Sequence, residues 1–173
     1  MDILLIAVGE VEKKVIEMLK YDLKKVFKRQ VWIGKGIPRP DYSFNKKRDQ
    51  YLSTAILKAM TEKKEYAIYE KILGIIDHDL YVPKLNFVFG EASQRVAIIS
   101  LTRLRYAFYS LPEDKVLFRR RVLTEAVHEL GHTYGLGHCR NPHCVMFFSN
   151  SLIDTDMKGP DFCQMCKIKL PDE

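Results

Sequence analysis

Apolar positions along the chain change their period several times, and each change marks an element. Residues 3–8 form an unbroken run, Ile-Leu-Leu-Ile-Ala-Val, closed by Gly9. That pattern suits a strand buried on both faces. Over residues 10–28, Val11, Val15, Met18, Leu19, Tyr21, Leu23 and Val26 recur near helical spacing among lysines and acids, which predicts an amphipathic helix packed on the sheet. A second strand follows at 31–33. Residues 34–45, rich in glycine and proline, read as an exposed loop. Leu52, Ile56, Leu57 and Met60 give a second helix over 49–63 its inner stripe. Three β-branched and aromatic stretches, 66–76, 86–92 and 95–104, predict further strands. A third helix should start at Glu113 or Asp114, acids suited to a helix N-terminus, and end at His132 or just beyond. After Gly135 the chain breaks into short Cys-, Gly- and Pro-punctuated segments. Such a tail buries little surface alone and needs another source of stability. The expectation is an α/β (α+β) fold: a mixed sheet of about five strands, a backing helix and a third helix. It forms one domain over 1–173, with an N-terminal subdomain over 1–135 and a C-terminal one over 136–173.

With 173 residues, 47% of them hydrophobic, the chain is long enough for one sizeable core. No run approaches the roughly 18–20 apolar residues that a membrane-spanning helix requires. Asp2 precedes the first apolar run where a secretory signal would be basic. We therefore expect a soluble, cytoplasmic, monomeric protein with no membrane partner. Net charge is +6, with clusters at Lys24, Lys25, Lys28 and Arg29, at Lys46, Lys47 and Arg48, and at Arg119, Arg120 and Arg121. Solvated helix faces carry the same pattern, so nucleic acid is not the expected partner.

Most of the chemical information lies in residues 128–138, His-Glu-Leu-Gly-His-Thr-Tyr-Gly-Leu-Gly-His. On a helix, His128 and His132 stand one turn apart and can point their rings at one ion. Glu129 leaves the helix at another angle, towards a water on that ion, and so reads as a general base. Continuing the helix would carry His138 away from the other two. Gly135 can take positive φ, stop the helix and turn the chain back. Three neutral imidazoles then leave Zn²⁺ an open fourth position, where bound water reaches a pKa of about 7.

This stretch resembles the HExxHxxGxxH signature of the metzincin zinc peptidases. Cys139 directly after the third histidine, then Cys144, Met146, Cys163 and Cys166, is similar to the archaemetzincin branch of that clan. The resemblance implies a metzincin-like fold, peptide-bond hydrolysis of a peptide or protein substrate, and two zinc ions per chain, one catalytic and one structural. It also implies that Met146 lies as an apolar floor beneath the catalytic ion, and that an extended substrate pairs with an edge strand, for which residues 86–92 are the candidate.

All four cysteines lie within the last 35 residues, where a disulfide framework would be spread along a secreted chain. Cys163 and Cys166 form a CxxC, and with Cys139 and Cys144 they would close a tetrahedral structural site holding the tail together. A redox CxxC or two disulfides is the alternative. His143 and His78 are spare histidines with weaker claims as ligands. For the whole chain, the competing reading is a zinc-stabilised binding protein with little or no hydrolytic activity.

Overall fold

The computed structural model describes residues 2–171. Strand β1 (Asp2–Val8) carries the apolar run and is flanked by parallel β2 (Gln30–Ile33) and parallel β5 (Lys71–Ile76). β5 pairs in parallel with β8 (Val96–Ser100), whose other side holds the antiparallel edge strand β7 (Gly90–Ser93). The order is therefore β2-β1-β5-β8-β7.

Both faces of this sheet are covered, which is why β1 is apolar from Ile3 to Val8. Ile3 and Leu5 point to one face, together with Leu73, Ile75, Ala97 and Ile99. Against them pack α1 (Lys13–Phe27), through Val15, Ile16, Leu19 and Leu23, and α3 (Lys115–Thr133), through Val122, Ala126, Val127 and Leu130. Leu4, Ile6 and Val8 point to the other face, where α2 (Ser53–Thr61) lays down Ile56, Leu57 and Met60. Each aliphatic side chain fully buried here contributes on the order of 1.5–3 kcal/mol.

The five-stranded sheet and the three helices match the expected architecture, with differences at element ends. Residues 49–52 are not helical. Gln50–Leu52 is a strand, β4, in a small second sheet with β3 (Phe44–Asn45) and β6 (Leu80–Tyr81). Its conformation is held from a distance: Tyr51 N–H donates to Asp79 O, and the Gln50 side chain donates to Asp79 and to Asn86 O. Residues 66–70 form turns and β5 begins only at Lys71, since Tyr66 and Tyr69 bond backward to Lys63 and Tyr66. Thr102–Leu104 is a 3₁₀ turn after β8. Of 86–92, only residues 90–92 belong to the edge strand, while Val88 makes an isolated bridge to Leu80.

The tail contains two short helices that periodicity did not reveal. α4 (Leu152–Lys158) is started by a capping box between Ser151 and Asp154, and α5 (Gln164–Lys167) follows Cys163. Several cations of the basic clusters are consumed internally. Arg119 makes a two-pronged bond to Asp22 of α1, Arg120 and Arg121 both bond Asp156 of α4, and Arg48 bonds Gln50, Leu85 O and Asn86 O. None of the helices is long and apolar enough to cross a membrane, among the described residues.

Candidate active site and metal centres

α3 starts where Asp114 accepts hydrogen bonds from Val116 N–H and Leu117 N–H at 3.0 and 2.9 Å, satisfying donors that the first turn leaves free. Its second half is buried on almost every side, with His128 and Glu129 each only 5% exposed. The helix stops at Thr133, and Gly135 takes φ +86°, a conformation that glycine enters without penalty. Leu136 N–H then bonds back to Gly131 O at 3.1 Å. His138 returns to the helix, its ring 5.5 Å from that of His128 and 4.9 Å from that of His132. One ring nitrogen of each histidine lies within 4.8 Å of the others.

The hydrogen bonding behind the rings suits a metal. His128 Nδ1 lies 2.7 Å from Val145 O and His132 Nδ1 lies 2.8 Å from Leu136 O, so each outer nitrogen carries the ring proton. The two Nε2 lone pairs consequently face each other at 3.1 Å, an arrangement that repels unless both address one cation. A tetrahedral Zn²⁺ with bonds of about 2.0–2.1 Å would set such donors roughly 3.3 Å apart. Burial holds the His128 pKa well below its ordinary value, and the Lys158 ammonium pushes the same way. Burial also lowers His132 and His138. All three rings are thereby kept in the neutral form that binds metals.

Glu129 sits beside the triad on the wall of a cleft of about 230 Å³, walled also by Phe87, Phe89 and Phe148. Burial, and then the Glu125 carboxylate, push its carboxyl well above the usual range; Lys158 opposes this. The edge strand approaches closely at Gly90, where a Cβ would stand 2.6 Å from Glu129 Cγ. A larger cavity, about 540 Å³, lies between the end of α1 and the tail and is lined by Lys25, Phe27, Arg29 and Lys167. It contains none of the triad, so size does not locate this chemistry.

The tail brings Cys139, Cys144, Cys163 and Cys166 together, their sulfurs all within 4.8 Å of one another. Cys139 Sγ and Cys163 Sγ are 3.9 Å apart and none of the four is in a disulfide. Thiolates at about 2.3 Å from a tetrahedral ion would be roughly 3.8 Å apart. Hydrogen bonding by Cys166 N–H brings Cys163 down to about 7, whereas burial pushes the Cys144 and Cys166 thiols up. Met146 is fully buried and packs its thioether on Gly131, between the two histidines of α3. Its carbonyl accepts from Cys139 N–H at 2.9 Å, tying this turn to the residue that follows His138.

His143 is exposed and His78 lies against the Tyr51 ring. Neither joins a cluster of possible ligands among the described residues. Sequence reasoning missed Gly90, Glu125 and Lys158. One signal was available: Glu125 and Glu129 are four apart on a helix, a like-charge pair that calls for a nearby cation.

The sequence profile of peptidase family M54 matches residues 6–172. The chain belongs to this family. It is 43% identical over 167 residues to an archaemetzincin of Methanocaldococcus jannaschii, covering 95% of this chain and 90% of that one. Its structure is similar to the archaemetzincin of Archaeoglobus fulgidus solved with malonate, with a TM-score of 0.86 and 37% identity over 98% of this chain and 100% of the other. It is similar also to a zinc-dependent peptidase of Methanocorpusculum labreanum, with a TM-score of 0.88 and 30% identity over the same shares. As an M54 peptidase the chain is a zinc metallopeptidase, a hydrolase acting on peptide or protein substrates.

Proposed function

We propose that His128, His132 and His138 hold the catalytic zinc of this M54 peptidase, that Glu129 is its general base, and that Cys139, Cys144, Cys163 and Cys166 hold a second, structural zinc. The observation that carries this reading is the convergence of the three imidazoles, two with outward nitrogens facing carbonyls, beside a buried carboxyl. Bound at the triad, zinc supplies the Lewis acidity that polarises a peptide carbonyl and makes water nucleophilic near neutral pH.

The chain's own residues do the rest. Val145 O and Leu136 O orient the His128 and His132 rings. Glu129 takes the proton of the attacking water and delivers it to the leaving amine nitrogen, the two halves of general acid–base catalysis. Its raised pKa brings base and acid roles nearer to the same pH. The backbone edge of β7 is suited to pair with an extended peptide, and the walls Phe87, Phe89 and Phe148 are suited to an apolar side chain beside the scissile bond. Residues 136–173 act as a metal-stapled subdomain on the 1–135 frame, and four cysteines gathered as one ligand set favour a reducing, cytoplasmic setting.

Glu129→Gln tests this reading. It should retain both metals and lower the cleavage rate of a peptide library by roughly 10²–10⁴-fold. Hydrolysis unchanged by this substitution would sink the role of Glu129 as base, and no hydrolysis by the zinc-loaded wild type or the variant would favour a zinc-stabilised binding protein.

A further inference from the structure

We propose that Lys158 is a positioning residue for His128, and that α4 is present in this fold to deliver it. The proposal rests on the reading of His128 as a ligand of the catalytic ion.

On the face that α4 covers, α3 presents polar side chains one turn after another. Arg121 Nε and Nη2 donate to the two carboxylate oxygens of Asp156, each at 2.7 Å. One turn on, Glu125 Oε1 accepts from Thr155 Oγ1 at 2.9 Å. The same oxygen lies 3.2 Å from Lys158 Nζ. The lysine also donates to Phe147 O at 3.3 Å and stands 3.2 Å from His128 Nδ1. Its side chain is 0% exposed and that of Glu125 is 3% exposed.

An ammonium group withdrawn this far from water is costly to bury, so its contacts must satisfy it. Those contacts join three elements: α3 at Glu125, α4 at its last residue, and the turn containing Met146 at Phe147 O. The turn matters because Val145 O, two residues before Phe147 O, holds His128 Nδ1 at 2.7 Å. Lys158 therefore anchors the segment that orients the first histidine. The ammonium also stands 3.2 Å behind that ring, in the space a swing away from His132 would need. The acceptor behind a ligand histidine, here Val145 O, fixes its tautomer and direction, and losing such support typically weakens metal affinity roughly 10–100-fold.

A simpler role is an ion pair with Glu125 that merely pins α4 down, and the two roles part in a double variant. Lys158→Met strands a buried carboxylate and should lower both the melting temperature and the affinity of the histidine site. Adding Glu125→Gln removes the stranded charge, so most of the melting temperature should return. Under positioning, the double variant still binds zinc at the histidines roughly 10–100-fold more weakly than wild type, measured by chelator competition with the cysteine site loaded as internal control. Glu125→Gln alone keeps the lysine on Phe147 O and should hold that affinity within a few-fold.

Wild-type affinity in the double variant, or a loss in Glu125→Gln as large as in Lys158→Met, overturns the proposal while leaving the proposed function standing. A wild-type chain that takes up no ion at the histidines overturns both.

Discussion

Gly90 and Glu129 touch across the gap between edge strand and active-site helix, with no room for a methyl group between them. A Cβ at Gly90 would stand 2.6 Å from Glu129 Cγ and 2.7 Å from Ile98 O. The carbonyl belongs to β8, in the ladder that pairs Gly90 with Ile99, so it cannot yield without breaking the edge. Gly90→Ala should therefore displace Glu129, cutting the cleavage rate at least tenfold, and cost about 1–3 kcal/mol of stability as overpacking does. Cleavage rate and thermal melting of the variant check this; a wild-type rate would show that Glu129 has room to move.

The two metal centres should fail separately. Cys163→Ser breaks the sulfur cluster that ties the segments of the tail together. We expect loss of one zinc per chain and a lower melting temperature. His128→Ala should lose the other ion while the cysteine site stays filled. Elemental analysis of both variants decides; the same ion lost in both would mean a single, shared centre.

Buried Glu129 gives activity and stability opposite dependences on pH. A base must be ionised, so the rate should be lost as pH falls through a folded-state pKa that burial and then Glu125 have raised. The acid limb of the rate profile should lie above the ordinary carboxylate range. Stability runs the other way, because a carboxyl whose pKa is raised on folding stabilises the protein below its unfolded pKa and ceases to as pH rises through the folded one. With the histidine site emptied and the cysteine site loaded, Glu129→Gln should melt above wild type at neutral pH, by a margin that shrinks towards about pH 4. A margin independent of pH contradicts this assignment.

Asp114→Ala tests the start of the active-site helix. It removes the acceptor for Val116 N–H and Leu117 N–H, which should cost roughly 0.5–2 kcal/mol. The site lies more than three turns away, so the cleavage rate per folded molecule should be unchanged. Denaturant unfolding and kinetics on the same sample separate the two quantities.

Helix ends and strand interiors were legible where the signal was local. The acids at 113 and 114 placed the start of α3 to within two residues, because capping is a contact between near neighbours. The first two strands came out within a residue of their expected ends, but the later ones were read too long. Residues 66–70 have strand composition but turn, since their backbone bonds close on Lys63 and Tyr66. Residues 50–52 have a helical stripe but extend, since Asp79 and Asn86 hold them. In both, the deciding hydrogen bonds override propensity.

The same division runs through the candidate site. Which donors can meet is readable from residue order, because one helical turn spaces His128 from His132 and one glycine returns His138, all within eleven residues. That order likewise marked the four cysteines as a set. The surroundings of those donors emerge only on folding: Gly90 against Glu129, and Lys158 between Glu125, Phe147 O and His128. Ligand spacing is set by local backbone geometry, whereas burial and counter-charge come from segments tens of residues away, whose meeting depends on how the whole chain packs.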